Sequence, residues 1–220
     1  MTKYSYFAQP IENITTKHVI VYELLLREWD EQTKTWGTPA QYELDAPTML
    51  DLLKTAIKKL NDKHVSINLT NAQFADPTIL HALTDFATKN MVPRQLTVEL
   101  VAAPEHDLLK AMSAKYRAAG IMLAIDDVGS DNLYADIKEL LPYVNTVKFA
   151  LQNMRELGET ATPEEIEALN FWFNEAEAQQ MLFTFEGIES EADLAIASKF
   201  GITRGQGYFF SRPLEPEQFA

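Results

Sequence analysis

Short apolar runs alternate with amphipathic stretches along almost the whole chain. The apolar runs predict strands over Tyr4–Gln9, Val19–Arg27, Val65–Leu69, Leu96–Val101, Ile121–Ile125, Thr146–Ala150, Leu182–Phe185 and Gly205–Phe210. Between most of them, helical periodicity predicts helices over Pro47–Leu60, Pro77–Lys89, Glu105–Ala119, Leu133–Leu141, Pro163–Gln180 and Glu191–Phe200. Asp76-Pro77 and Thr162-Pro163 are start signals, a capping side chain followed by proline. Gly120 and Gly201 stand where a left-handed helix cap wants glycine. Such alternation implies an α/β protein with a parallel sheet and helical crossovers, and about eight strands in this length fit a (β/α)8, TIM-like barrel. Pro10–His18 leaves no room for a crossover helix, so the first strand is expected to run antiparallel to the second. An open doubly wound sheet is the competing architecture, but no Gly-x-Gly-x-x-Gly turn follows a strand to favour it. Without a linker or low-complexity segment, residues 1–220 read as a single, stand-alone domain.

Composition narrows the partners. With 46% hydrophobic and 23% charged residues, 220 residues supply one sizeable core. No apolar stretch is long enough to span a bilayer and no signal-peptide pattern opens the chain, so no membrane association is expected. The absence of cysteine excludes disulfides and thiolate metal sites and makes a cytoplasmic protein the default. A net charge of −13 disfavours sequence-independent binding of DNA or RNA. A small phosphorylated ligand stays compatible if divalent cations neutralise it.

Polar residues inside or at the ends of apolar strands carry the remaining information, because a barrel's site lies at the C-terminal strand ends. In chain order they are Glu23, Asn68, Glu99, the pair Asp126-Asp127, Lys148, Glu186 with Glu189, and Gln206. Asp126-Asp127 before Val128-Gly129 reads alone as a turn signal or as half a metal site. Five carboxylates converging on one barrel mouth need cations. An oxygen donor set with one amide suits Mg²⁺ or Mn²⁺ better than Zn²⁺. A lysine beside them could position a water or stabilise phosphoryl charge. The constellation points to metal-assisted hydrolysis of a phosphoester. Structural roles compete at several positions: Glu23 as an ion pair with Arg27 on the same strand face, Lys148 as a snorkelling lysine, and Glu189 as a helix-start acid.

These residues and their order resemble the EAL domain family, bacterial phosphodiesterases that hydrolyse cyclic di-GMP to the linear dinucleotide. Gln9-Pro10-Ile11 resembles the opening Q-P-I, and Tyr22-Glu23-Leu24-Leu25-Leu26-Arg27 resembles Y-E-A-L-x-R with Leu24 in place of alanine. Asn68-Leu69-Thr70, Val98-Glu99-Leu100, Asp126-Asp127-Val128-Gly129, Val147-Lys148-Phe149 and Glu186-Gly187-Ile188-Glu189 follow in family order. Gln206-Gly207-Tyr208-Phe209-Phe210-Ser211-Arg212-Pro213-Leu214 is similar to the closing motif. The resemblance implies that Glu23, Asn68, Glu99 and Asp126 hold one metal, and that Asp126 bridges to a second held with Asp127 and Glu186. It implies catalytic roles for Lys148, which orients the nucleophilic water, and for Glu186. Arg27 and Gln206 are implied as substrate-binding residues, Glu189 as a supporting one, and a homodimer as the assembly.

Two departures from the family pattern bear on activity. Ala102 replaces the second glutamate of E-L-T-E, which in the family anchors the loop after the aspartate pair, and Ala150 replaces the aspartate of L-K-I-D. The loop itself reads Gly129-Ser130-Asp131-Asn132-Leu133-Tyr134 where the family has a Gly-Thr-Gly-Tyr-Ser-Ser-like run. Lost support of this kind costs ~10–100-fold in metal affinity or activity. The expected function is therefore Mg²⁺- or Mn²⁺-dependent hydrolysis of cyclic di-GMP. The alternative is a weak or inactive domain that serves as a cyclic di-GMP receptor or a protein-interaction module.

Overall fold

The computed structural model describes residues 3–220. Strands β1 (Tyr4–Asn13) and β2 (Val19–Asp30) form an antiparallel hairpin that sets Gln9 opposite Glu23. A short β3 (Thr35–Gly37) extends β2 beyond the barrel, with Trp29 paired to Trp36 and the rings 5.3 Å apart. These tryptophans pack on each other and under Lys3. From there the chain alternates. Helix α1 (Ala46–Lys59) leads to β4 (Val65–Leu69), α2 (Asn71–Ala75) and α3 (Pro77–Asn90) to β5 (Leu96–Leu100), and α4 (His106–Ala118) to β6 (Met122–Val128). After α5 (Tyr134–Ile137) come β7 (Thr146–Ala150), α6 (Pro163–Ala178), β8 (Leu182–Glu186), α7 (Glu191–Phe200) and β9 (Arg204–Gly205).

Strands β2, β4, β5, β6, β7, β8 and β9 are successive parallel neighbours, and β1 closes the ring by pairing antiparallel with both β2 and β9. The result is a closed eight-stranded barrel in which only β1 runs against the rest, as the short Pro10–His18 connection requires. Alternation sends Ile67, Leu69, Val98 and Leu100 outward, where they are fully buried with α3 and α4 residues such as Leu83 and Leu109. The stacked rings of Phe74 and Tyr116 fill the gap between α2 and α4. Asp76 and Thr162 cap α3 and α6, and Gly120 and Gly201 adopt positive φ after α4 and α7. Among the described residues no helix is long and apolar enough to cross a membrane.

β3 and α2 lie outside the predicted set, and three of the predicted elements end differently. The helix over Leu133–Leu141 is one turn, Tyr134–Ile137, then a tight turn and a 3-10 segment at Leu141–Tyr143. Pro142 accounts for the break, since it has no N–H to donate to the Lys138 carbonyl four residues back and its ring would crowd that carbonyl, and Lys138 is where the α-helix ends. The strand over Gly205–Phe210 stops at Gly205. Beyond it the chain wraps around Ile188, whose N–H donates to Gln206 O and whose carbonyl accepts from Phe209 N. A Cβ on Gly207 would sit 2.0 Å from that carbonyl oxygen, so only glycine passes. Finally, β6 runs past Ile125 through both aspartates to Val128.

Candidate active and metal site

Glu23, Asn68, Glu99, Lys148 and Glu186 reach one another because each is on an inward position of its strand. The register places Asn68 beside Glu99 and sets Lys148 one step below the level where Ala150 faces Glu186. The aspartate pair needs more than alternation, since consecutive strand residues point to opposite faces. Between β6 and β7 the register slips by one residue, from Ile125 opposite Val147 to Val128 opposite Phe149. This is a β-bulge, and Asp127 takes up the extra residue with φ +51°. Aspartate tolerates that left-handed conformation better than most residues. The bulge turns both carboxylates toward the mouth. Gly129, at φ +91°, lets the chain leave tightly over Phe149 and Trp172, where a Cβ would stand 2.8 Å from the Phe149 ring.

Lys148 is the centre of the constellation. Its ammonium lies 2.6 Å from Glu99 Oε2 and from Glu186 Oε1, and 3.3 Å from Glu23 Oε2 and from Asp126 Oδ1. The lysine is 1% exposed, so it is no snorkelling side chain. Asn68 Nδ2 donates to Glu23 Oε1 at 2.8 Å, and Gln206 Nε2 donates to Glu23 Oε2 at 2.8 Å. Arg27 does not pair with Glu23. Its guanidinium donates to the Leu26 carbonyl and lines a neighbouring cleft.

One buried ammonium faces four buried carboxylates with a fifth, Asp127, alongside. Burial opposes the charged form of Lys148, yet Asp126, Glu186, Glu23 and Glu99 outweigh it and hold the ammonium protonated, well above its ordinary range. The carboxylates divide. Burial would raise Glu23, but Lys148 and the donors Asn68 and Gln206 bring it below its ordinary value. Burial pushes Glu99 up to about 8 despite Lys148. Asp127 rises to about 6, by burial and by the charge of Asp126. Burial likewise raises Asp126 and, well above the usual carboxylate range, Glu186. The cluster therefore holds more acid than its one base can neutralise.

The donor atoms suit cations. Glu23, Glu99 and Asp126 can direct one oxygen each to a common point within 4.8 Å of one another, and so can Asp126, Asp127 and Glu186. Asp126 belongs to both groups. Asn68 Oδ1 is buried without a hydrogen-bond partner, and Glu186 Oε1, though close to Lys148, lacks hydrogen-bond alignment. Orphaned oxygens in an all-oxygen set are what a hard divalent ion would satisfy.

Two clefts open from this floor. The larger, about 460 Å³, runs past Arg27, Tyr42, Asn71 and Ala102. The smaller, about 290 Å³, is bounded by Asp127, Gln152, Gln206 and Tyr208. Glu23 and Asp126 line both. Glu189 borders the smaller cleft outside the carboxylate cluster and accepts a hydrogen bond from Gly158 N.

Sequence reasoning gave no role to two residues that the structure brings in. Gln9, on β1, accepts from Gln206 Nε2 and donates to Ser211 O, holding Gln206 against Glu23. Its signal was an amide on the inward face opposite Glu23. Asn132 ties the loop after Asp127 to the end of β5: Oδ1 accepts from Ala103 N at 3.0 Å, and Nδ2 donates to Val101 O at 3.2 Å and to Asp126 O at 2.6 Å. Nothing in the sequence pairs it with residues some thirty positions away. Ala102, expected to leave this loop unsupported, lies exposed beside that tie.

The fold and site define an α/β barrel with an acid-rich mouth able to hold cations. The family model for the EAL domain matches residues 3–213, and the chain belongs to that family. It is 25% identical over 230 residues to the probable cyclic di-GMP phosphodiesterase PdeB of Escherichia coli, across 96% of this chain and 43% of that protein. This chain thus spans less than half the length of that curated relative. The PaMucR phosphodiesterase in complex with c-di-GMP superimposes with a TM-score of 0.79 at 20% identity, covering 99% of this chain and 94% of that one. An EAL domain protein from Listeria monocytogenes EGD-e gives 0.78 at 23% identity, covering 98% and 90%. At these identities the superpositions establish the barrel.

Proposed function

We propose that this EAL domain, a single unit over residues 1–220, hydrolyses cyclic di-GMP to the linear dinucleotide with two divalent cations, Mg²⁺ or Mn²⁺. The observation that carries the proposal is the pair of carboxylate groups sharing Asp126 around one lysine. Glu23, Asn68, Glu99 and Asp126 would hold one cation, and Asp126, Asp127 and Glu186 the other. When bound, such cations lower the pKa of a water and neutralise charge on phosphoryl oxygens. Lys148, kept charged by its neighbours, orients the attacking water and offsets charge that develops on the phosphate. Gln206, braced by Gln9, holds Glu23 in the orientation a ligand needs. Arg27 lines the larger cleft with one Nη donating to the Leu26 carbonyl, and its remaining guanidinium donors would take a non-scissile phosphate. The clefts on either side of Glu23 and Asp126 would accept the two halves of a cyclic dinucleotide. The known relatives named for this nucleotide supply the substrate.

Purified protein with Mn²⁺ should convert cyclic di-GMP to the linear form, followed by chromatography. Intact nucleotide after prolonged incubation at high protein concentration, with binding retained, would establish instead a receptor that leaves its ligand whole. One observation favours that second reading: Lys148 already supplies four carboxylates with a counter-ion. Titration with and without Mg²⁺ separates the two, since a receptor binds the nucleotide without the cation.

A further inference from the structure

We infer that Asn132 is the positioning residue for the second cation group: it staples the exits of β5 and β6 together and so fixes where Asp127 points. The inference rests on the two-cation reading for its consequence and on hydrogen-bond geometry for its substance.

An asparagine in a tight loop ordinarily uses its side chain on its own turn. Here the backbone closes the turn without it. Asn132 N donates to Asp127 O at 3.2 Å and Asn132 O accepts from Gly129 N at 3.0 Å. The side chain is free to reach across to β5, and it is 5% exposed there. Both Nδ2 hydrogens and Oδ1 are used: the carbonyls of Val101 and Asp126 accept, and the N–H of Ala103 donates. Only a primary amide of this reach can serve two acceptors and one donor at once.

The bond to Asp126 O is the consequential one. That carbonyl begins the peptide leading into Asp127, so fixing it at 2.6 Å restrains the φ of the next residue. Asp127 occupies φ +51°, a conformation that persists only where its surroundings hold it. Its own carbonyl accepts from the N–H groups of Ser130, Asp131 and Asn132. If the staple is lost, the bulge can relax and Asp127 turns away from Asp126 and Glu186. Glu23 and Glu99 stand on regular strands and keep their places.

The test uses Asn132→Ala and Asn132→Asp, the latter keeping shape and acceptor but losing the donor. In calorimetric titration with Mn²⁺, both variants should weaken the second binding event ~10–100-fold while the first changes less than about threefold. Amide exchange gives a readout independent of metal. In the metal-free wild type the Ala103 N–H and the Asn132 side-chain amide should exchange slowly, and Ala103 should exchange at least ~10-fold faster in Asn132→Ala. Should a variant fail to fold, the wild-type exchange still decides: free-amide rates at Asn132 overturn the staple. Unchanged Mn²⁺ binding and unchanged Ala103 protection in folded variants also overturn it. Wild-type protein that binds no Mn²⁺ but protects both amides upholds the staple and contradicts the two-cation function instead.

Discussion

Two buried charge clusters lie within a few residues of each other, and they are built on opposite plans. Arg155, just after β7, meets Asp193 on α7 in a two-pronged pair at 2.9 Å for each contact. Asp193 also accepts from the N–H groups of Glu189 and Ser190 and from the Ser190 hydroxyl. Burial alone would raise its carboxyl, but Arg155 and these donors outweigh burial and hold it below the ordinary range. Charge is balanced there, one against one, and the pair pins the β8–α7 turn by way of Gly187 O. Around Lys148 the balance fails by design of the strands: four carboxylates share one ammonium, and several are pushed up. A matched buried pair is costly to break, because either partner alone is a stranded charge; an unmatched cluster stores a demand for cations. The contrast separates scaffold from site.

The largest effect should come from the unmatched cluster. Glu23→Ala removes an oxygen from the first cation group and the partner of Asn68, Gln206 and Lys148, and should lower Mn²⁺-dependent turnover by more than ~100-fold. Turnover near wild type would show that Glu23 is only a structural acid.

Asp193→Ala should strike stability instead. It leaves Arg155 buried without a counter-charge, at a cost of about 3–5 kcal/mol. The midpoint of thermal unfolding should fall by roughly 6–20 °C for a chain of this size. A change under a few degrees would erase the contrast between the clusters.

The same class of change in the unmatched cluster should have the opposite sign. In metal-free protein at pH 8.5, Glu99→Gln relieves like-charge crowding and should raise stability by about 1 kcal/mol. Adding Mn²⁺ should stabilise this variant less than wild type. A destabilised metal-free variant would mean that Glu99 is a net favourable partner of Lys148.

Last is the pH slope of the same cluster. Glu99 and Asp127 bind protons more tightly when folded, with values pushed up to about 8 and about 6 against about 4.5 and 3.8 for the free groups. Between those limits the folded state holds protons that the unfolded state has lost, so stability falls as pH rises. Glu23 has the opposite sign, but its contribution is already complete above its ordinary range. Metal-free protein should therefore lose thermal stability from about pH 6 to about pH 8, and saturating Mn²⁺ should flatten that decline. A rise over this window without metal would contradict the assigned burial effects.

Much of the site was legible because barrel strands alternate. Glu23, Asn68, Glu99, Lys148 and Glu186 are polar residues in apolar runs, and alternation alone sends them inward. The Asp126-Asp127 pair was legible as chemistry and not as geometry, since the one-residue bulge that aims both carboxylates depends on the β7 register. The apolar stretch Tyr208–Phe210 predicts a longer last strand than the two-residue β9; the path around Ile188 is a tertiary constraint, signalled only by Gly207. The short helix after Leu133 is legible in Pro142, which denies the Lys138 carbonyl its helical donor. The loop support at Asn132 was invisible, because its partners Val101 and Ala103 offer backbone atoms, which carry no sequence signature.

The central claim is that the excess carboxylate charge around Lys148 houses two cations, and direct titration tests it. Chelator-treated protein titrated with Mn²⁺ in a calorimeter should bind two ions per chain, and Asp126→Asn, which touches both groups, should weaken both events. One ion or none in the wild type, at millimolar Mn²⁺ and pH 8, would contradict the account.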